Sequence, residues 1–218
     1  MIQDCSMRTS EHDHPYVVVA GPPGVGKSTA GRIIADRLRY IFYPELTDNP
    51  FLANSTKDPA RWTFQTETYF LMVKIGQIIS AQGKRKTHGI VGDTPVLQDV
   101  LGYARAKLEG PEWDLFYNMY ETVTEAKGIR DMKPSLVVCL EASTSVNMQR
   151  IRQRGRDFEK AYTARYVARV ADLNRDWIIS SGIPALFVNT DSLNFIKSAP
   201  AQDHLVDLVR QKLRSNHE

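Results

Sequence analysis

The sequence predicts an α/β fold of three layers, α/β/α, built on a five-stranded parallel sheet. Two observations carry that expectation. Short apolar runs alternate along the chain with longer segments of helical period, the pattern of a parallel sheet covered on both faces. A glycine-rich loop, "GPPGVGKST", joins the first of these runs to the first helical segment. The 218 residues suffice for one core and show no repeat or linker, so one domain is expected over 15–218 behind a flexible tail at 1–14.

The first strand is read at Tyr16–Ala20, "YVVVA", and the loop that follows matches G-x-x-x-x-G-K-[ST] at Gly21, Gly26, Lys27 and Ser28. Glycines, Gly24 among them, let backbone N–H groups turn inward around phosphate oxygens with no Cβ in the way; Val25 and Thr29 complete the loop. Lys27 adds a cation for the β- and γ-phosphates, and Ser28 offers its hydroxyl to Mg²⁺. A helix over Lys27–Leu38, spaced by Ile33, Ile34 and Leu38, aims its positive end at the same point. A nucleoside triphosphate, ATP as phosphoryl donor, is expected there with Mg²⁺.

Further strands are expected at Tyr40–Tyr43, Gly89–Gly92, Leu136–Leu140 and Ala185–Val188. Helices are expected at Pro59–Ala81, Val96–Leu108, Pro111–Lys127, Ser143–Gln153, Thr163–Ser180 and Gln202–Leu213. In "PEWDLFYNMYETV" Trp113, Phe116, Tyr117 and Tyr120 lie on one side, as core or a subunit interface requires. The segment "RIRQRGR" carries Arg150, Arg152, Arg154 and Arg156. Its place after a strand and a helix start is that of a mobile lid in a small P-loop kinase, here about residues 150–160. Forked guanidinium donors suit such a lid because they neutralise charge on a phosphoryl group in transfer.

Composition narrows the partners. A net charge of +3 is too small to argue for nucleic acid, and the arginine stripe lacks interleaved aromatics for base stacking. Cys5 and Cys139 make no disulfide framework. Cys139 sits in "SLVVCL", where a buried free thiol is expected, and the cytoplasm is the simplest compartment. The start, "MIQDCSMRTSEHDHP", has no apolar stretch to serve as a signal peptide, and His12 and His14 read as solvated rather than metal-binding. No apolar run reaches the roughly 18 residues that cross a bilayer, so no membrane partner is expected.

Three stretches carry a family resemblance. "DNPFLANSTKDPARWTFQTETYFL" resembles the deoxyribonucleoside kinases (deoxyguanosine, deoxyadenosine and deoxycytidine kinase-like P-loop kinases) in its Asn49-Pro50-Phe51-Leu52 and Asp58-Pro59…Arg61-Trp62 segments. "SLVVCLEASTSVNMQRIRQRGRDFE" is similar to that family's strand, helix and arginine lid, and "PALFVNTDSLNF" to its last strand and the loop beside the donor's adenine. The resemblance implies a P-loop kinase that moves the γ-phosphate of ATP to the 5′-hydroxyl of a nucleoside, and a homodimer packed through helices such as Pro111–Lys127.

Carried over position by position, the donor half matches and the acceptor half departs. The catalytic base falls on Glu45, one residue nearer to "NPF" than the family pattern, with Asp48 as the alternative. The family's Glu/Asp-Arg-Ser motif falls on "DTP": Asp93 can hold Mg²⁺ or its waters, but Thr94 replaces the arginine. Thr56 stands where a tyrosine meets the sugar 3′-hydroxyl, while Glu159 keeps the glutamate with that role. Trp62 and Phe70 fall on the acceptor side, Lys74 and Asp99 on base-side positions, and Arg152, Arg154 and Arg156 in the lid.

The base-reading glutamine is Glu67 here. A carboxylate only accepts hydrogen bonds; facing adenine N1 or cytosine N3 it would leave a repelled lone pair costing about 1–3 kcal/mol. Guanine presents N1–H and an amino group side by side, so a guanine preference is expected, unless Lys74 or Arg61 neutralises Glu67 as an ion pair. Two other readings stay open: a nucleoside monophosphate kinase or other small-molecule kinase, and a non-catalytic nucleotide-binding protein.

Overall fold

The first strand contains no charged side chain and is buried along its whole length, which the middle of a sheet covered on both faces satisfies. The structure, a computed structural model, describes residues 14–129, 133–193, 195 and 198–216. Cys5, His12 and the expected tail up to residue 13 lie outside the described residues.

Strands β1 (Tyr16–Ala20), β2 (Ile41–Tyr43), β3 (Ile90–Asp93), β4 (Leu136–Glu141) and β5 (Ala185–Asn189) form one sheet in the order β2-β3-β1-β4-β5. Every pair is parallel, as the alternating pattern predicts. Val17 and Val19 of β1 face helices α1 (Lys27–Leu38) and α7 (Ala199–Ser215), meeting Ile34, Leu205 and Val209. Val18 and Ala20 face the other way, into a cluster with Ala81 of α3 (Pro59–Arg85) and with Trp177 and Ile178 of α6 (Ala164–Ser180). That is the three-layer arrangement. Each fully buried valine, leucine or isoleucine in it contributes about 1.5–3 kcal/mol. Cys139 is a free buried thiol in β4, pushed up to about 12 by burial and then by Glu141.

Helix α1 and strand β1 match their expected bounds, and the bounds of the other strands shift by a single residue. Tyr40 drops out of β2 because its N–H closes the end of α1 on Ala35 O. Helix α3 runs past the expected Ala81 to Arg85, its last turn carrying Lys84 and Arg85 against the negative end of the helix. Its start is as expected: Pro59 in the first turn, with Asp58 accepting from the Arg61 N–H at 3.3 Å. Helices α4 (Gly110–Ala126) and α5 (Thr144–Arg154) move by a residue at either end. A short helix α2 (Leu52–Lys57) and a 3₁₀ turn at Asp157–Ala161 were not expected, being too short for periodicity to register.

One expected helix has the wrong type. Within Val96–Leu108, residues Gln98–Ala104 form a π-helix, and the Arg105 N–H donates to Val100 O, five residues back, at 3.0 Å. Apolar spacing does not separate the two coils; packing does. Gly102 lies against α6 so closely that a Cβ there would stand 2.8 Å from Asn174 Oδ1. The aromatic stripe of α4 is core: Phe116 and Tyr120 are buried with Leu71 and Ile75 of α3 and with Val100.

The loop after β1 is held as tightly as the strands. At Gly24, φ is +83° and a Cβ would meet Asn147 O of α5 at 2.5 Å. Replacing Gly24 by Ala is expected to lower stability by more than about 1 kcal/mol, from both the left-handed φ and the clash. Urea unfolding measures it, and an unchanged midpoint would show that loop and α5 yield freely.

Candidate active site

Three glycines of left-handed φ shape the loop: Gly21 at +142°, Gly24 at +83° and Gly26 at +102°. Gly26 is also the N-cap of α1 and brings no side chain to the first N–H groups of the helix, which remain open to phosphate oxygens. The loop sits at the C-terminal end of β1, where the chain crosses from one side of the sheet to the other, the usual place for ligands in open α/β sheets.

A cleft of about 1030 Å³, counting its open mouth, extends from this loop. Gly24, Gly26, Lys27, Ser28 and Thr29 line one end; Glu45, Glu67, Phe70, Lys74 and Asp99 line the other, and Arg154, Arg156 and Glu159 close a side. The expected donor and acceptor residues therefore share one space. Gly21 and Val25 lie beneath the loop rather than in the cleft.

The π-helical segment joins the two ends. Gln98, wholly buried, accepts from the Gly21 N–H at 2.9 Å and donates to Gly21 O at 2.8 Å. Lys27 Nζ donates to Gly21 O at 3.0 Å, to Pro22 O at 3.3 Å and to the Tyr103 hydroxyl at 2.9 Å. Asp93 ends β3 beside β1, paired in register with Val19, and its Oδ2 is buried with no hydrogen-bond partner among the described residues. Thr94 does not replace the missing arginine. It adopts φ +70°, and its hydroxyl reaches only Asp93 Oδ1, at 3.4 Å. Lys74 instead brings a cation close by, donating to Asp93 O at 3.0 Å.

Several expected residues turn elsewhere. Trp62 does not line the cleft; it stacks on Phe51 with ring centroids 5.9 Å apart, and Asn49 caps this clamp by donating to Thr66 O and accepting from the Phe51 N–H. Residues that carry the family resemblance thus pin α2 onto α3. Arg152 is exposed and outside the cleft, because two residues along α5 it faces away from Arg154. Arg150 anchors α5 to the loop that follows β5, donating to Thr190 Oγ1 at 3.0 Å and Thr190 O at 2.6 Å. Arg154 grips Glu159 through two hydrogen bonds, with Arg156 at 3.8 Å. Asp48 is exposed and outside the cleft, whereas Glu45 lines it.

Glu67 is paired, but with neither Lys74 nor Arg61. Lys107 Nζ donates to its Oε1 at 2.6 Å and lies 5.6 Å from the ring centre of Tyr166. Gln98, Tyr103, Lys107, Tyr162 and Tyr166 were missed by sequence reasoning. The one available signal was Glu67 itself, since a carboxylate 4% exposed calls for a cation.

Comparison with known proteins agrees with the fold and with the family resemblance. The family model described as deoxynucleoside kinase matches residues 17–214. The chain is similar to a deoxyadenosine kinase of Lactobacillus acidophilus, 30% identical over 209 residues that span 91% of this chain and 96% of that one. It is also similar to a deoxyguanosine kinase of Bacillus subtilis, 26% identical over 160 residues, or 72% and 74% of the two chains. Among solved structures, a deoxyadenosine kinase from M. mycoides with products dCMP and a flexible dCDP bound has a TM-score of 0.73 at 21% identity, over 92% of this chain and 99% of that one. At that identity the likeness speaks for the fold.

Asp99 generates a pH expectation. Burial first, then Glu45 and Glu67, push its carboxyl up to about 8 from 3.8, against the opposing pull of Lys74 and Lys27. The folded protein then holds a proton that the unfolded chain has released, so this group's contribution to stability falls as pH rises from about 4 towards 8. Urea midpoints of the wild type are expected to drop more between pH 6 and pH 8 than those of Asp99→Asn. Parallel profiles would remove Asp99 as the cause.

Proposed function

The chain belongs to the deoxynucleoside kinase family, and on that premise we propose that this cleft transfers the γ-phosphoryl group of ATP to the 5′-hydroxyl of a deoxynucleoside. The observation that carries the reading is the sharing of one cleft by the phosphate loop, Glu45 and a buried polar wall of Glu67, Lys107 and Asp99. An acceptor that is itself a nucleotide would need cations to spare in that wall. Lys74 and Lys107 are both engaged, by Asp93 O and by Glu67, which favours an uncharged nucleoside.

The chemistry follows from position and charge. The 5′-oxygen attacks the γ-phosphorus while the bond to the bridging oxygen of ADP breaks, and the hydroxyl proton passes to Glu45. Lys27, held at the loop by two carbonyls and Tyr103, presents its charge to the β- and γ-phosphates. Arg154 and Arg156 neutralise the phosphoryl oxygens, and Glu159, oriented by both, accepts from the sugar 3′-hydroxyl. Asp93 and Ser28 suit Mg²⁺: one carries a buried oxygen without a partner, the other an exposed hydroxyl in the cleft. Such an ion, held by these two residues, would offset the negative charge of the phosphate oxygens. Phe70 lines the acceptor end beside Glu67 and gives the base an apolar face.

We assign the enzyme to the cytoplasm as a homodimer. Among the described residues no helix is long and apolar enough to cross a membrane. Leu115 on α4 is 54% exposed, and Ile79 and Met72 on α3 are also exposed, apolar surface that a second copy would cover.

ATP consumption across deoxynucleosides, ribonucleosides and their monophosphates tests the reading; turnover of monophosphates alone would overturn it. Lys27→Ala is expected to abolish transfer with an unchanged circular dichroism spectrum. Glu45→Gln is expected to lower kcat by roughly two to four orders of magnitude with little change in nucleoside affinity. Asp48→Asn should remain near wild type, and the reverse result would move the base to Asp48.

A further inference from the structure

Glu67 does not face the cleft as a lone carboxylate. Lys107 occupies its Oε1 at 2.6 Å, and no hydrogen bond to Oε2 is made among the described residues. Burial works against the Lys107 charge, but the charge and hydrogen bond of Glu67 outweigh it, and the ammonium's pKa stands well above that of an ordinary lysine. Both side chains line the acceptor end of the cleft beside Tyr166, whose hydroxyl is buried without a hydrogen-bond partner. Burial holds that phenol in its neutral form, so it too has a proton to donate.

A buried ion pair is weak evidence for stability, since apolar residues of similar volume would often serve as well. This pair stands beside an unpartnered polar group in the acceptor end of the cleft, which points to a ligand. A glutamine side chain ends in one acceptor and one donor. Glu67 and Lys107 carry the same two functions on separate residues: a free carboxylate oxygen and the remaining N–H groups of the ammonium.

Building on the kinase reading above, we propose that Lys107 is a specificity-determining residue that reads the base jointly with Glu67. The carboxylate takes an amino or imino N–H, and the ammonium donates to the neighbouring acceptor. The pair therefore admits the adenine edge (amino group and N1) and the cytosine edge (amino group and N3), which a lone glutamate would repel. It is Lys107 that widens the acceptor range beyond guanine, whose N1–H and N2 amino group a carboxylate can take by itself.

The test compares kcat/KM for deoxyadenosine, deoxycytidine and deoxyguanosine in wild type, Lys107→Met and the double variant Glu67→Gln/Lys107→Met, with thermal melting to verify folding. Lys107→Met is expected to depress deoxyadenosine and deoxycytidine relative to deoxyguanosine by roughly ten-fold or more, the effect of leaving a buried acceptor unpaired. The double variant restores acceptor and donor in one neutral side chain, so it should recover the wild-type ranking even where Lys107→Met is too unstable to assay. An equal loss for all three nucleosides in Lys107→Met, or a double variant that folds yet still favours deoxyguanosine over deoxyadenosine relative to wild type, would overturn the role of Lys107 and leave the kinase reading standing. A wild-type protein inactive on every nucleoside would overturn the kinase reading, and this inference with it.

Discussion

Gly21 is where strand, loop and acceptor wall are tied together. Its N–H and C=O are both taken by the side-chain amide of Gln98, a reciprocal pair formed in a buried site where either group unpaired would cost about 1–3 kcal/mol. Because β1 is central and parallel to both neighbours, the C-terminal ends of β1, β3 and β4 meet at this glycine. The pair then couples the phosphate loop to the π-helical segment, which also carries Asp99 and Tyr103.

Charge in the acceptor half is arranged in partnered steps. Lys74 is held by a backbone carbonyl, Lys107 by Glu67, Arg154 and Arg156 by Glu159, and Arg150 by Thr190. Asp99 stands among two carboxylates and two lysines and is kept protonated to unusually high pH. In so enclosed a space each pairing is worth more than at the surface, and each orphan costs more. That makes two atoms informative: the unpartnered hydroxyl of Tyr166, which lines the cleft, and the unpartnered Oδ2 of Asp93, which is buried outside its lining.

Recognition and chemistry are carried by different residues. Asn49, Phe51 and Trp62, which mark the family resemblance, hold a short helix against a long one through a stack and two hydrogen bonds. Their contribution is to set where Glu67, Phe70 and Lys74 project from α3. Motif residues of this kind identify a fold through its scaffold, whereas Thr94 and Glu67, which depart from the family pattern, lie outside that clamp.

The sheet, the loop chemistry and one rim of the cleft were legible in the sequence because each depends on local signals: apolar runs, glycine spacing, and a lysine and hydroxyl at the start of a helix. Glu45, Asp99 and Glu159 could be placed by resemblance, in register with those signals. The π-helix was not legible, since the apolar period of Val96–Leu108 suits either coil, and the close packing of Gly102 against Asn174 that accompanies the wider one is a contact across 72 positions. Nor was the partner of Glu67. Forty positions separate it from Lys107, and charge pairs across such a distance are chosen by the packing of the π-helical segment against α3 and α6, which no local pattern encodes. Local signals suffice for a glycine-rich phosphate loop on an α/β fold because they involve neighbours in the chain; which side chains line the rest of the cleft depends on packing between distant segments.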